Sequence, residues 1–333
     1  MSNKYLIALF LLFILFHSES SRPQSRIFFI GDYGENSTGE LMVANTMFSW
    51  FQGGYDTVFT LGDNNYPNGE ATTIMENVGK YYSKLMYPFN QSGFANPYGY
   101  RGNPLNINYF FPCMGNHDWY ANPIYGYLLF FGANIPNTSS GNDRYYYVNH
   151  GNVLFVVLDS WVGDNPPSWI RPEPDGINAT SVQAMWVKGI LQNSTAKWKV
   201  IIMHHPPYCS TQSTYVMRWT YKQWGADLVM AGHDHLYERL YVDSLYYTIN
   251  GCGGGGLDIA YPTPIQGSQK LYIGFGFQMM TAYEDSLNLK FIAVDNTVKD
   301  NFTITKNYTP PPPIDTLTLS DSVRILWDRE FNK

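Results

Sequence analysis

Five of the seven histidines in this chain fall into three short polar clusters: His117, the pair His204-His205, and His233 with His235. Imidazole is the commonest metal ligand in proteins and the side chain that most readily exchanges a proton near neutral pH. The other two, His17 in an apolar N-terminal run and His150 in the turn Asn149-His150-Gly151-Asn152, stand apart. Oxygen donors accompany the five. Asp32 lies in Gly31-Asp32-Tyr33-Gly34, Asp63 and Tyr66 in Gly62-Asp63-Asn64-Asn65-Tyr66, and Asn116 and Asp118 flank His117 after Gly115. Taken singly, each cluster reads equally as a polar turn, since Gly, Asp and Asn are turn residues. Taken together, they concentrate histidine where a structural role would scatter it. His233 and His235, two apart in extended backbone, point the same way. Asp32, Asp63, Tyr66, Asn116, His204, His233 and His235 form a mixed oxygen and nitrogen set without thiolate, which suits iron, zinc or manganese better than copper(I). Seven side chains exceed one tetrahedral site, and a carboxylate can bridge two ions. Two metals about 3.5–4 Å apart are the clamp used for in-line displacement at phosphorus.

Residues so far apart in sequence need a scaffold that gathers them. Apolar, β-rich runs at 26–30, 57–61, 109–114, 153–158, 200–203 and 228–230 read as buried strands, with more at 145–148, 246–249 and 291–294. Helical spacing appears at 40–51 and 181–191. Strands alternating with helices predict an α/β fold with layered sheets. Asp32, Asp63, Asn116, Asp159, His204 and His233 each come at or just after the end of an apolar run. Ligands in α/β sheets bind beyond the carboxyl ends of strands, so these positions can meet in one pocket. Stretches 90–108 and 161–178 read as irregular surface insertions, and 310–313, all proline, as a stiff spacer.

The N-terminus sets the expected compartment. Lys4, the apolar run 6–16 and small residues at Ser18 and Ser20 predict a secretory leader over 1–20. A bilayer span needs roughly 18 apolar residues, so a membrane anchor is not expected. Seven Asn-x-Ser/Thr sequons, at Asn36, Asn90, Asn137, Asn178, Asn193, Asn301 and Asn307, would then be usable glycan sites. One domain is expected over 26–309, followed by a proline-rich tail over 310–333. Aromatic content of 17% with 14% charged residues predicts a large packed core. The net charge of −6 and the lack of a basic stripe exclude a nucleic-acid platform. An acidic surface would repel a phosphate ester unless bound metals supply positive charge at the site. Three cysteines allow one bridge plus a free thiol, and their loop-like settings favour pairing Cys209 with Cys252.

In order and type, GDYG, GDNNY, GNHD, HHPPY and GHDH resemble the five blocks of the purple acid phosphatases within the metallophosphoesterases. The resemblance runs from about Ile27 to the glycines at 251–256, and Tyr66 in GDxxY resembles the purple subclass. It implies a calcineurin-like fold of two mixed β-sheets packed as a sandwich and flanked by helices, in the small, tartrate-resistant form of the family. It further implies that Asp32, Tyr66 and His235 hold Fe(III), that Asn116, His204 and His233 hold a divalent iron, zinc or manganese ion, and that Asp63 bridges them. Neighbours along a strand point to opposite faces, so only one of His204 and His205 can reach the metals. The family's His-x-Pro spacing selects His204 and leaves His205 a supporting role. The implied reaction is hydrolysis of small phosphate monoesters by a metal-bound hydroxide, in a secreted, lysosomal or vacuolar setting. His117 would protonate the leaving alkoxide, with Asp118 orienting it. One departure is notable: no histidine lies within 206–232, where small animal members carry another. A secreted metallophosphodiesterase for nucleotides or lipid head groups, and a catalytically silent binding glycoprotein, are the alternatives.

Overall fold

The computed structural model describes residues 25–306, apart from 53–55, 90–93, 122–123, 137–139, 164–172, 212–215 and 259. The expected leader at 1–20, the tail at 310–333 and the sequons at Asn90, Asn137 and Asn307 lie outside the described residues. Asn36, Asn178, Asn193 and Asn301 are all exposed.

The strands, in chain order, are β1 (Ser25–Ile30), β2 (Thr57–Thr60), β3 (Phe110–Phe111), β4 (Tyr146–His150), β5 (Val153–Val157), β6 (Trp198–Ile202) and β7 (Leu228–Ala231). They continue with β8 (Tyr237–Val242), β9 (Leu245–Asn250), β10 (Ser268–Tyr272), β11 (Gly276–Ala282), β12 (Ser286–Ala293) and β13 (Val298–Thr305). The main helices are α1 (Thr38–Ser49), α2 (Asn116–Tyr120), α3 (Tyr125–Phe131), α4 (Val182–Asn193) and α5 (Tyr221–Trp224). A six-stranded sheet has the order β13-β12-β11-β1-β2-β3, and a seven-stranded sheet β10-β8-β9-β7-β6-β5-β4. Both are mixed. β1, β2 and β3 run parallel, as do β5, β6, β7 and β9, while β11–β13 and the β4–β5 and β8–β9 pairs are antiparallel.

The sequence Val-Leu-Phe-Val-Val-Leu over 153–158 explains the layering. Side chains alternate across a strand, and here both faces are covered. Val153, Phe155 and Val157 join a core shared with the first sheet, where Phe59 stacks 4.4 Å from Phe155. Leu154, Val156 and Leu158 face the other way, onto Ala184, Val187 and Leu191 of α4. Burial on two faces is what makes such a strand continuously apolar. Ser181 starts α4 by accepting the Ala184 N–H at 3.2 Å, and Ser37 starts α1 by accepting that of Glu40 at 3.0 Å.

Three expectations change. The strand expected over 109–114 shortens to Phe110–Phe111, because Pro112 has no N–H to give a neighbour. The meander β11–β13 exceeds the single run expected at 291–294. Its outer strand mixes exposed Val298, Asn301, Thr303 and Thr305 with half-buried Lys299 and Phe302 and buried Asp300 and Ile304, so it never reads as an apolar run. The Cys209–Cys252 bridge does not form. All three cysteines are free and buried, Cys113 in the inter-sheet core, Cys209 under the helices and Cys252 beside Tyr237 and Phe291. No helix among the described residues is long and apolar enough to cross a membrane.

Candidate metal centre

The site forms where parallel strands end. Asp32 follows β1, Asp63 follows β2, Asn116 opens α2 after β3, His204 follows β6 and His233 follows β7. Three of these residues occupy left-handed backbone, with φ of 55° at Asp32, 51° at Asp63 and 72° at His233. Side-chain-bearing residues rarely adopt that region, and such outliers cluster where function requires them. Asp32 N donates to Gly62 O at 3.0 Å, and His233 N donates to Asp32 Oδ2 at 2.8 Å. The glycines beside the ligands make room. A Cβ on Gly115 would lie 2.2 Å from the Asp63 nitrogen, and one on Gly62, whose φ is +94°, 2.4 Å from His204 Nδ1.

The ligand atoms converge in two groups. In the first, Tyr66 Oη lies 3.0 Å from Asp63 Oδ2, 3.3 Å from Asp32 Oδ1 and 3.2 Å from His235 Nε2. His235 Nε2 is 3.3 Å from Asp32 Oδ1. In the second, His204 Nε2 lies 2.9 Å from Asn116 Oδ1, 3.3 Å from Asp63 Oδ1 and 3.3 Å from His233 Nδ1. His233 Nδ1 is 3.2 Å from Asn116 Oδ1. Asp63 belongs to both groups, with one carboxylate oxygen in each.

The donor chemistry fits cations. In the first group one phenol hydrogen cannot satisfy both carboxylate oxygens, Asp32 Oδ1 and Asp63 Oδ2. In the second, Leu61 O accepts from His204 Nδ1 at 2.8 Å, so neutral His204 turns a bare Nε2 lone pair toward the Asn116 oxygen. Asn116 Nδ2 donates to Tyr120 Oη at 3.1 Å, which holds the amide with its oxygen inward. Lone pairs facing lone pairs repel, and a cation between them removes the repulsion. Titration shows that the same atoms draw positive charge, taken as protons where no metal ion supplies it. Burial opposes charge on His204, yet Asp63 and Asp32 lift it to about 10. Burial likewise opposes charge on His235, and Asp32 lifts it to about 9. Burial would raise the Asp63 carboxyl, but the histidines around it, His204 foremost, hold it well below the usual range. Buried Tyr66, beside Asp63 and Asp32, is pushed up as a phenol, a preference that a bound cation inverts.

His117 lies at the edge of this centre, with 28% of its side chain exposed. Its backbone N–H donates to Asp63 Oδ1 at 2.9 Å. Its Nδ1 is 2.5 Å from Pro67 O, and a carbonyl only accepts, so the hydrogen sits on Nδ1. Nε2 is thereby left toward the ligands, 3.9 Å from Asp63 Oδ2.

Two expected roles change. Asp118 does not orient the His117 ring: its buried carboxylate accepts from Gly115 N and Asn64 Nδ2, both at 2.8 Å, and from Asn64 N at 3.2 Å. It joins the loop of Asp63 to that of Asn116, and Pro67 holds His117 instead. Strand alternation also fails to separate His204 from His205, because β6 ends at Ile202 and both residues lie in the bend beyond it. A His205 nitrogen comes within 4.8 Å of nitrogens of His204 and His233. Sequence reasoning passed over Asn64 and Ser160 as supports. Their signal, a polar residue beside a ligand cluster, is too common to single them out.

Residues 25–237 match the family described as calcineurin-like phosphoesterase, which is more than half of the chain. The chain belongs to that family. This phosphoesterase is 32% identical over 133 residues to purple acid phosphatase 23 of Arabidopsis thaliana, covering 36% of this chain and 26% of the relative. It is 25% identical over 182 residues to a phosphoenolpyruvate phosphatase of Allium cepa, covering 49% of this chain and 34% of the relative. The chain thus spans about a quarter to a third of the length of these curated relatives. Its fold is similar to that of the purple acid phosphatase PPD1 from yellow lupin seeds, with a TM-score of 0.63 and 17% identity, over 89% of this chain and 57% of that one.

Proposed function

We propose that this phosphoesterase is a two-metal hydrolase of small phosphate monoesters, active at acid pH, in a secreted or vacuolar setting. The observation that carries the reading is Asp63, whose two carboxylate oxygens each face a separate ligand group. Asp32, Tyr66 and His235 would hold Fe(III), since anionic oxygen donors suit a hard ion. Asn116, His204 and His233 would hold a divalent iron, zinc or manganese ion. Bound there, the ions would supply positive charge for the phosphoryl oxygens and a water activated for in-line attack.

The chain's own residues account for the rest. Asp63, fixed by the His117 N–H, holds the two groups at a set spacing. His117, aimed by Pro67 O, presents Nε2 to the leaving oxygen. As the bond from phosphorus to that oxygen breaks, the ring, carrying a hydrogen on each nitrogen at that step, gives the Nε2 proton to the oxygen, which departs as an alcohol while the Nδ1 hydrogen stays donated to Pro67 O. The ring centre lies 4.3 Å from that of Tyr66, tilted against it, and 5.0 Å from that of Tyr120, edge-on, which limits its swing. Asp118, bonded to both ligand loops, keeps His117 and Asp63 in register without touching substrate.

The test compares turnover of an aryl phosphate monoester with the matching diester from acid to neutral pH, alongside metal content. Monoester preference with two metal equivalents supports the proposal. Diester preference moves the assignment to a phosphodiesterase. Two metals without turnover of either ester would point to a silent binding protein.

A further inference from the structure

Ser160 is fully buried beneath the bend that carries His204 and His205. Its Oγ lies 3.2 Å from the backbone nitrogen of His204, 2.8 Å from that of His205 and 3.0 Å from His205 Nδ1. A hydroxyl has one hydrogen and two lone pairs. Both amides can only donate, so they occupy the lone pairs. The hydroxyl hydrogen is then directed at His205 Nδ1, which must accept it. A neutral imidazole that accepts at Nδ1 carries its hydrogen on Nε2. His204 is held the other way, because Leu61 O takes a hydrogen from its Nδ1 and leaves Nε2 bare. Two adjacent histidines are thus fixed in opposite tautomers, one ready to ligate and one not.

We infer that Ser160 is a positioning residue for the divalent-ion site: it anchors the histidine bend and holds His205 in the tautomer that cannot ligate. The inference rests on the two-metal reading above. The His205 ring packs 4.5 Å from the ring of His233 and 4.9 Å from that of His204, so it serves as a wall behind both ligands. Without the hydroxyl, two buried amides lose their acceptor. His205 also loses the bond that occupies Nδ1 and fixes its hydrogen on Nε2, so a ring nitrogen can compete for the ion.

The experiment uses zinc-reconstituted full-chain protein as wild type, Ser160→Ala and Ser160→Thr. Histidine side-chain NMR should place the His205 hydrogen on Nε2 in the wild type and in Ser160→Thr, and partly on Nδ1 in Ser160→Ala. Competition with a chelator should show one of the two zinc equivalents bound about 10–100-fold more weakly in Ser160→Ala, with the other unchanged and the threonine variant restored. An Nδ1 hydrogen in wild-type His205 would overturn the inference, as would an alanine variant that keeps both equivalents or loses both alike. Should the alanine variant fail to fold, the wild-type tautomer still decides. A wild-type protein that binds only one equivalent would sink the two-metal reading, and the tautomer would then report on the Ser160–His205 pair separately.

Discussion

Removing the His117 ring would separate the proposed proton donation from metal binding, because the two would draw on different atoms of the residue. Its backbone N–H holds Asp63 Oδ1 at 2.9 Å and persists in any replacement except proline. Its ring, fixed by Pro67 O, supplies only Nε2. His117→Ala should therefore keep both metal equivalents and lose rate. General acids contribute about 10²–10⁴-fold, or roughly 3–5 kcal/mol at the transition state. The size of the loss should depend on the leaving group. A nitrophenolate departs without a proton, whereas a simple alkoxide needs one, so alkyl phosphates should suffer near the upper end of the range and activated aryl phosphates far less. Steady-state kcat for a series of monoesters of graded leaving-group acidity, measured with metal analysis on the same samples, reads this directly. Equal losses across the series would refute the acid role, and loss of metal would make the ring structural.

Asp63→Ala removes the carboxylate shared by both ligand groups, so metal analysis should show both equivalents weakened, whereas a simple one-site ligand would cost one. Tyr66→Phe should abolish any visible phenolate-to-iron absorption of the purified protein while the fold survives by circular dichroism; an unchanged spectrum would remove Tyr66 from the iron site. Burial, with the Glu173 charge next, raises Asp159 to about 8, above its unfolded value. The native state then holds the proton more tightly, so stability is fullest at low pH and falls as pH rises from about 4 through 8. Thermal melts of Asp159→Asn should lose that slope relative to wild type. Phe155→Ala empties the contact with Phe59 between the sheets and should cost about 3–5 kcal/mol in denaturant unfolding.

Strands buried on both faces were legible because they write continuous apolar runs, as over 153–158. The antiparallel edge was not: β13 follows Val298 with Lys299, Asp300 and Asn301, residues that one-sided burial allows. Every candidate ligand was visible by type, and Asp32, Asp63, Asn116, His204 and His233 also by their places at strand ends; atoms of all seven converge in the two groups. The roles beside them were less legible. Asp118 was expected to orient the His117 ring, yet the first turn of α2 swings its carboxylate back to Gly115 N. His204 and His205 read as alternating strand residues until the chain bends after Ile202. The two failures have separate causes: Asp118 sits in the first turn of α2, and His204 and His205 lie beyond the end of β6. Around them the ligand loops leave regular backbone, through positive φ at Asp32, Asp63 and His233.

That irregular backbone must be held from beneath, and two buried acceptors do most of the holding. Asp118 takes three N–H groups from the loops of Asp63 and Asn116, and the Ser160 hydroxyl takes two from the bend of His204. The two differ in chemistry. A buried carboxylate beside Asp63 is electrostatically costly, and burial, with the Asp63 charge next, raises Asp118 to about 7. Cations bound at Asp63 would offset that repulsion, so metal binding and the tightening of the Asp118 clamp should reinforce each other. Ser160 carries no charge and needs no such partner. The loop of Asp63 should therefore loosen when metals are stripped, while the bend of His204 stays closed. Hydrogen exchange on chelated and metal-loaded protein reads both segments at once. Exchange rising equally at 204–205 and 63–64 would show that the two anchors do not act independently.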